Sequence, residues 1–125
     1  MSVEDRKTSL EDLQQIIRRF VHERDWDYFH RPTALAISAA IETGELLEIF
    51  QWRTDDEVES VKTDHSFRES VSDEIADIII YLLRLADSLG ISPTTAILQK
   101  MKKNEVKYPA EKWAGKTPHH SPPKD

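Results

Sequence analysis

Residues 72–90 read SDEIADIIIYLLRLADSLG. From Val71 onward, Ile75, Ile78, Leu82, Leu85 and Leu89 recur at the three-and-four spacing of one helix face. Ile79, Leu83 and Ala86 widen that stripe until the helix is apolar on most sides. Such a helix belongs at the centre of a bundle or in a subunit interface. Ser66 with Glu69 predicts its start as a capping box, and Gly90 predicts its stop. The same helix carries Glu74 and Asp77 beside its most apolar run. A carboxylate in that setting calls for a counter-charge.

A second helix is predicted upstream, over residues 32–52, with Pro32 in its first turn. Leu35, Ile41, Leu46, Ile49 and Phe50 supply its apolar faces, while Ala34, Ala36, Ala39 and Ala40 keep it thin. Its second half, AIETGELLEIFQW (40–52), places Glu42, Glu45 and Glu48 three residues apart with Gly44 among them. Gly in a helix interior costs about 1 kcal/mol relative to Ala. Its presence is expected to let a backbone, a helix or a ligand come close.

An earlier helix is expected to begin at Thr8 or Ser9, with Thr8 and Glu11 as its capping box and Leu10, Leu13, Ile17 and Phe20 as its stripe. A last helix opens at Ser92 and Pro93 and ends before Pro109, with Ala96, Ile97 and Met101 inward. The connector RTDDEVESVKTDH is polar, with room for a short helical turn. No segment has strand periodicity. The expected fold is all-α, a four-to-five-helix bundle in one domain over residues 1–113, with 114–125 as a loose Pro- and Lys-rich tail.

The 125 residues carry a net charge of −6. That balance argues against polymeric nucleic acid as a partner, since such binding needs a basic stripe. Without cysteine there is neither a disulfide nor a thiolate metal site. The longest apolar run, IIIYLL, is too short to span a bilayer, and the charged N-terminus does not look like a signal peptide. A cytoplasmic protein without membrane partners is expected.

Three groups of residues could carry chemistry. Glu42 and Glu45 project together from one helix, and Glu74 and Asp77 from the other. If the two helices pack antiparallel, four carboxylates meet and form a site for hard cations such as Mg²⁺ or Mn²⁺. The plainer alternative is two solvated acidic faces; the apolar setting weighs against it. Lys100, Asn104, Lys107 and Tyr108 share one face of the last helix, alongside Lys102 and Lys103. A cation with lysines suits a polyphosphate, although taken alone the lysines read as an exposed helix end that complements the helix dipole. Trp26, Phe29, His30, Trp52 and Tyr81 could stack on a base, while Phe29 reads better as a core or interface residue.

These residues together resemble the MazG-like all-α nucleoside triphosphate pyrophosphohydrolases, and within them the dCTP pyrophosphatase branch. The signature E-x-x-E followed by E-x-x-D stands here as Glu42, Glu45, Glu74 and Asp77. RDWDYFHRP, FQWR and KMKKNEVKYP extend the likeness over roughly residues 8–113. The segment NEVKYP departs from it, with Glu105 and Val106 where basic residues are expected.

The resemblance implies that Glu42, Glu45, Glu74 and Asp77 hold Mg²⁺, with Mn²⁺ as a substitute. It places Trp26, His30, Trp52 and Tyr81 at a nucleoside, and Lys100, Asn104, Lys107 and Tyr108 at a triphosphate. It implies release of pyrophosphate from a nucleoside triphosphate, dCTP or a modified pyrimidine nucleotide foremost. It also implies a homodimer or a dimer of dimers. Glu45 or Glu48 is the expected proton acceptor, though Glu48 could equally be a ligand or a solvated position. A di-iron carboxylate bundle ranks low, because no Glu-x-x-His pair exists. A non-catalytic helical module that binds nucleotide or protein is the remaining alternative.

Overall fold

A computed structural model describes residues 3–118. Seven helices follow in order: α1 (Val3–Lys7), α2 (Leu10–Glu23), α3 (Pro32–Phe50), α4 (Asp55–Val61), α5 (His65–Ser88), α6 (Pro93–Lys107) and α7 (Ala110–Trp113). No strand occurs among the described residues. The four long helices stand where the apolar periodicity puts them; α4 is the turn in the polar connector, and α1 and α7 are short additions. The expected tail lies partly outside the described residues, from 119 onward. None of the described helices is long and apolar enough to cross a membrane.

The helix ends show what the local chemistry selects. Ser92 caps α6 by accepting from Thr95 N at 3.2 Å, with Pro93 following it. Arg31 precedes α3 with no side-chain cap, and Pro32 occupies the first turn. Gly90 adopts φ +66° just beyond α5. There Gly90 N donates to Asp87 O at 3.1 Å and Ile91 N to Ala86 O at 2.8 Å, the pair of bonds that closes a helix through a left-handed residue.

Two expected capping boxes are corrected. Helix α2 is capped by Ser9 and Asp12, not by Thr8 and Glu11: Asp12 N donates to Ser9 Oγ at 3.0 Å and Ser9 N to Asp12 Oδ2 at 2.9 Å. Thr8 N is already engaged by Glu4 O at 2.9 Å, at the end of α1. Helix α5 starts earlier than Ser66, because Asp64 accepts from Phe67 N at 3.1 Å. A carboxylate at this end also complements the helix dipole.

The chain divides between Ile91 and Ser92 into two compact units. In the first, α3 packs along α5, and α2 also meets α5. The α3–α5 pair is antiparallel: Phe50, at the end of α3, meets Phe67, near the start of α5, with ring centroids 5.8 Å apart, and Glu42 and Glu45 meet Glu74 further along. Val21, Leu35, Ala39 and Leu83 form a thin buried core. Ile37, Ile41, Leu47, Ile75, Ile79 and Leu82 remain exposed in the single chain. The second unit consists of α6 and α7, joined by an edge-on contact of Tyr108 and Trp113 at 4.9 Å.

Candidate metal centre

Glu42 and Glu45 stand three residues apart on α3, and Glu74 faces them from α5. One carboxylate oxygen from each lies within 4.8 Å of the other two, a spacing at which the three could share one cation. Glu42 and Glu74 are half-buried and Glu45 is exposed, so the cluster is closed on one side and open on the other. Glu42 Oε2 and Glu74 Oε2 are buried with no hydrogen-bond partner among the described residues. Ionised carboxylates only accept, so the three cannot satisfy one another unless a proton or a cation lies between them.

The electrostatics follow from that geometry. Burial pushes the Glu42 carboxyl up to about 7; sharing of a proton with Glu45 and Glu74, and then the charges of Glu45 and Asp77, act in the same direction. Burial also raises Glu74; the closeness of Glu42 opposes that, and the neighbouring Glu45 and Asp77 raise it further. The cluster thus retains a proton where ordinary glutamates have none. A divalent cation would replace that proton and supply the donorless oxygens with their missing partner. Oxygen-only donors around a small site suit Mg²⁺ or Mn²⁺.

Asp77, one helical turn beyond Glu74, is exposed and is not among the oxygens within 4.8 Å. Its charge nevertheless reaches Glu42 and Glu74. Glu48 lines an open cleft of about 460 Å³ together with Glu45, Ile49, Ser70, Asp73 and Glu74. Sequence reasoning passed over Asp73 and Ser70. Ser70 was accessible to it, being four residues before Glu74 and so on the same face. Asp73 was masked by its immediate neighbour, which already had a role. Gly44 has nothing among the described residues within 4 Å of where a Cβ would stand, apart from its own helix turn.

The chain belongs to the MazG-like family. That family's model matches residues 37–117. Human dCTP pyrophosphatase 1 is 38% identical over 102 residues, covering 82% of this chain and 60% of the human protein. The bovine dCTP pyrophosphatase 1 is 38% identical over 101 residues, covering 81% of this chain and 60% of its own. This chain thus spans about three-fifths of the length of those relatives. A crystal structure of a pyrophosphatase from Archaeoglobus fulgidus DSM 4304 is similar at a TM-score of 0.72 and 47% identity, over 80% of this chain and 92% of that one.

The MazG-like match includes all four signature carboxylates but begins after Trp26 and His30. Around those two, the structure gathers three of the four expected aromatic residues. Trp26 and His30 have ring centroids 6.4 Å apart, and His30 and Tyr81 also 6.4 Å. Phe20 closes on Trp26 edge-on at 5.7 Å. Trp52 stands apart, 84% exposed and without a ring contact among the described residues. Phe29 is exposed too, and rests edge-on against Tyr28, so it is not a core residue.

A residue that the sequence reading did not single out completes this region. Arg84 is buried on α5 and donates from Nε to His30 Nδ1 at 3.2 Å. It also lies 3.6 Å from both Asp27 Oδ1 and Asp87 Oδ2. In the second unit, Lys100 and Lys107 are exposed on α6 while Asn104 and Tyr108 are half-buried. Tyr108 ends that helix, donating its backbone N–H to Asn104 O at 2.7 Å.

Proposed function

We propose that this chain is a Mg²⁺-dependent nucleoside triphosphate pyrophosphohydrolase, with Mn²⁺ able to substitute. The observation that carries the reading is the pair of buried, donorless oxygens of Glu42 and Glu74 beside Glu45. The names of the dCTP pyrophosphatase relatives and of the Archaeoglobus pyrophosphatase support the same chemistry. They favour dCTP or a modified pyrimidine nucleotide as substrate.

In the proposed reaction, a water oxygen bonds to phosphorus and the anhydride bond between the α- and β-phosphates breaks. The products are the monophosphate and pyrophosphate. Glu42, Glu45, Glu74 and Asp77 would hold the cation, which when bound neutralises phosphate charge and acidifies water. Glu45 or Glu48, on the open side of the cluster, would accept the proton of the attacking water. Trp26, His30 and Tyr81 would take the nucleoside, with Trp52 as a further wall. Lys100, Asn104, Lys107 and Tyr108 are the proposed phosphate contacts, where positive charge stabilises the leaving group. The exposed apolar residues of α3 and α5 would be covered by a second copy, as a homodimer or a dimer of dimers, and the proposed compartment is the cytoplasm.

Pyrophosphate release from a panel of deoxynucleoside and nucleoside triphosphates, with Mg²⁺ and with chelator, tests the reading. Release that requires the cation is expected, fastest with a pyrimidine deoxynucleotide. No release from any nucleotide would leave the non-catalytic binding module as the better description.

A further inference from the structure

Arg84 is only 8% exposed, and buried arginines are rare unless paired. Its partners surround it. Asp27 and Asp87 flank its terminal nitrogens, each at 3.6 Å. Asp87 is itself anchored by a two-bond fork from Arg18, at 2.6 and 2.7 Å, and by the Gln14 amide at 3.2 Å. The guanidinium plane is therefore fixed from behind, and its Nε–H is left for His30 Nδ1 at 3.2 Å. A guanidinium keeps its protons at any physiological pH, so Nε can only donate. His30 Nδ1 must then accept with its lone pair, and the ring's single proton is left on Nε2, on the opposite side of the imidazole.

We infer that Arg84 is a positioning residue that holds His30 as a neutral imidazole with its proton on Nε2, so that His30 offers a fixed N–H donor to a hydrogen-bond acceptor on the nucleoside, such as a base carbonyl. The inference rests on the proposed reading of Trp26, His30 and Tyr81 as the nucleoside-binding residues. Arg84 and Tyr81 face His30 from α5, and Asp27, which is also 3.4 Å from His22 Nδ1, lies in the segment before α3. Burial holds the imidazole below the usual histidine range, Arg84 lowers it further, and Asp27 opposes them. Protonation at Nδ1 would break the Arg84 bond and set two cations against each other. A neutral N–H donor favours a ligand with an acceptor at that position, and rejects one that presents a second donor.

The test starts from histidine ¹⁵N–¹H correlation spectra of the full chain, taken from pH 5.5 to 8, which need neither nucleotide nor variant. The wild-type chain should show His30 with its proton on Nε2 at pH 7 and a titration midpoint below about 6.5. In Arg84→Met the proton should distribute over both nitrogens, and the midpoint should rise because Asp27 is then unopposed. With substrate, KM in Arg84→Met should rise about tenfold, the worth of one oriented hydrogen bond, with kcat nearly unchanged. Wild-type KM should stay flat from pH 8 to 7 and rise only where His30 begins to charge at lower pH.

An Nδ1-protonated or charged His30 in the wild-type chain at pH 7 would overturn the inference. So would an unchanged His30 spectrum in Arg84→Met, and an unchanged KM beside a changed spectrum would overturn the donor role. If no nucleotide is hydrolysed while the spectra behave as expected, the enzymatic reading fails and the Arg84–His30 relation stands.

Discussion

Replacing Glu42 with Gln should make the protein more stable without metal and less active with it. The reasoning begins with the proton on the cluster. Glu42 releases its proton at about 7 in the folded chain, against 4.5 for an ordinary glutamate. The folded state therefore binds more protons than the unfolded state between those values, and stability falls as pH rises through that window. Below pH 4.5 the penalty is absent, and above 7 it is complete. At about 1.4 kcal/mol per pH unit the face value is about 3 kcal/mol. Water on the open side of the cluster screens this, which leaves about 1–2 kcal/mol.

Glu42→Gln keeps the shape, carries no charge and brings an amide that donates to Glu45 or Glu74. Urea denaturation at pH 8 with chelator should show the variant about 1–2 kcal/mol more stable, a shift of several degrees in Tm. At pH 4.5 the two should be equal within error. Mg²⁺ should raise the wild-type midpoint by mass action and leave that of the variant nearly unmoved. The argument fails if the variant shows no gain at pH 8, or if Mg²⁺ stabilises both proteins equally.

Asp77→Asn should lower Mg²⁺-dependent turnover by at least roughly 10–100-fold with an unchanged helical circular dichroism spectrum, because it removes one of the four carboxylates proposed to hold the cation. Asp87→Asn weakens the fork from Arg18 and leaves buried Arg84 with Asp27 as its remaining carboxylate; urea denaturation should show a loss of about 2–3 kcal/mol. Gly44→Ala should stabilise the chain by about 0.5–1 kcal/mol in the same assay, because the added Cβ meets no described residue outside its own helix turn and the helix gains propensity.

The long helices were legible because their signals are local and redundant. Pro32, Ser92, Pro93 and Gly90 each act within one turn, and the apolar spacing of α5 runs for more than four turns. The antiparallel meeting of Glu42 and Glu45 with Glu74 was also within reach, since the carboxylates sat among apolar residues that had to pack. The caps were less legible. Thr8 and Ser9 both have an acidic residue three positions on, and only the engagement of Thr8 N by α1 decides between them. Asp64 outcompetes Ser66 for the start of α5 because the free N–H of Phe67 lies within its reach. Arg84 was illegible for another reason. Its partner His30 lies 54 residues away, and no local spacing reports such a pair. Within an apolar run, a single arginine reads only as an interruption.

The two polar clusters of the first unit solve opposite problems. Around Asp87 and Arg84 the charges alternate and the donors find acceptors, so burial of those groups is compensated from within the chain. Around Glu42 the charges repeat, and two buried oxygens have no donor. A chain whose buried apolar core, among the described residues, is as thin as Val21, Leu35, Ala39 and Leu83 has little reserve to spend on such a cluster. The cluster sits on α3 and α5, whose extensive packing along each other can hold like charges close. The repulsion would then be a store of binding free energy for the proposed cation. Once bound, it would gain its own ligand bonds and would also relieve the repulsion among Glu42, Glu45 and Glu74.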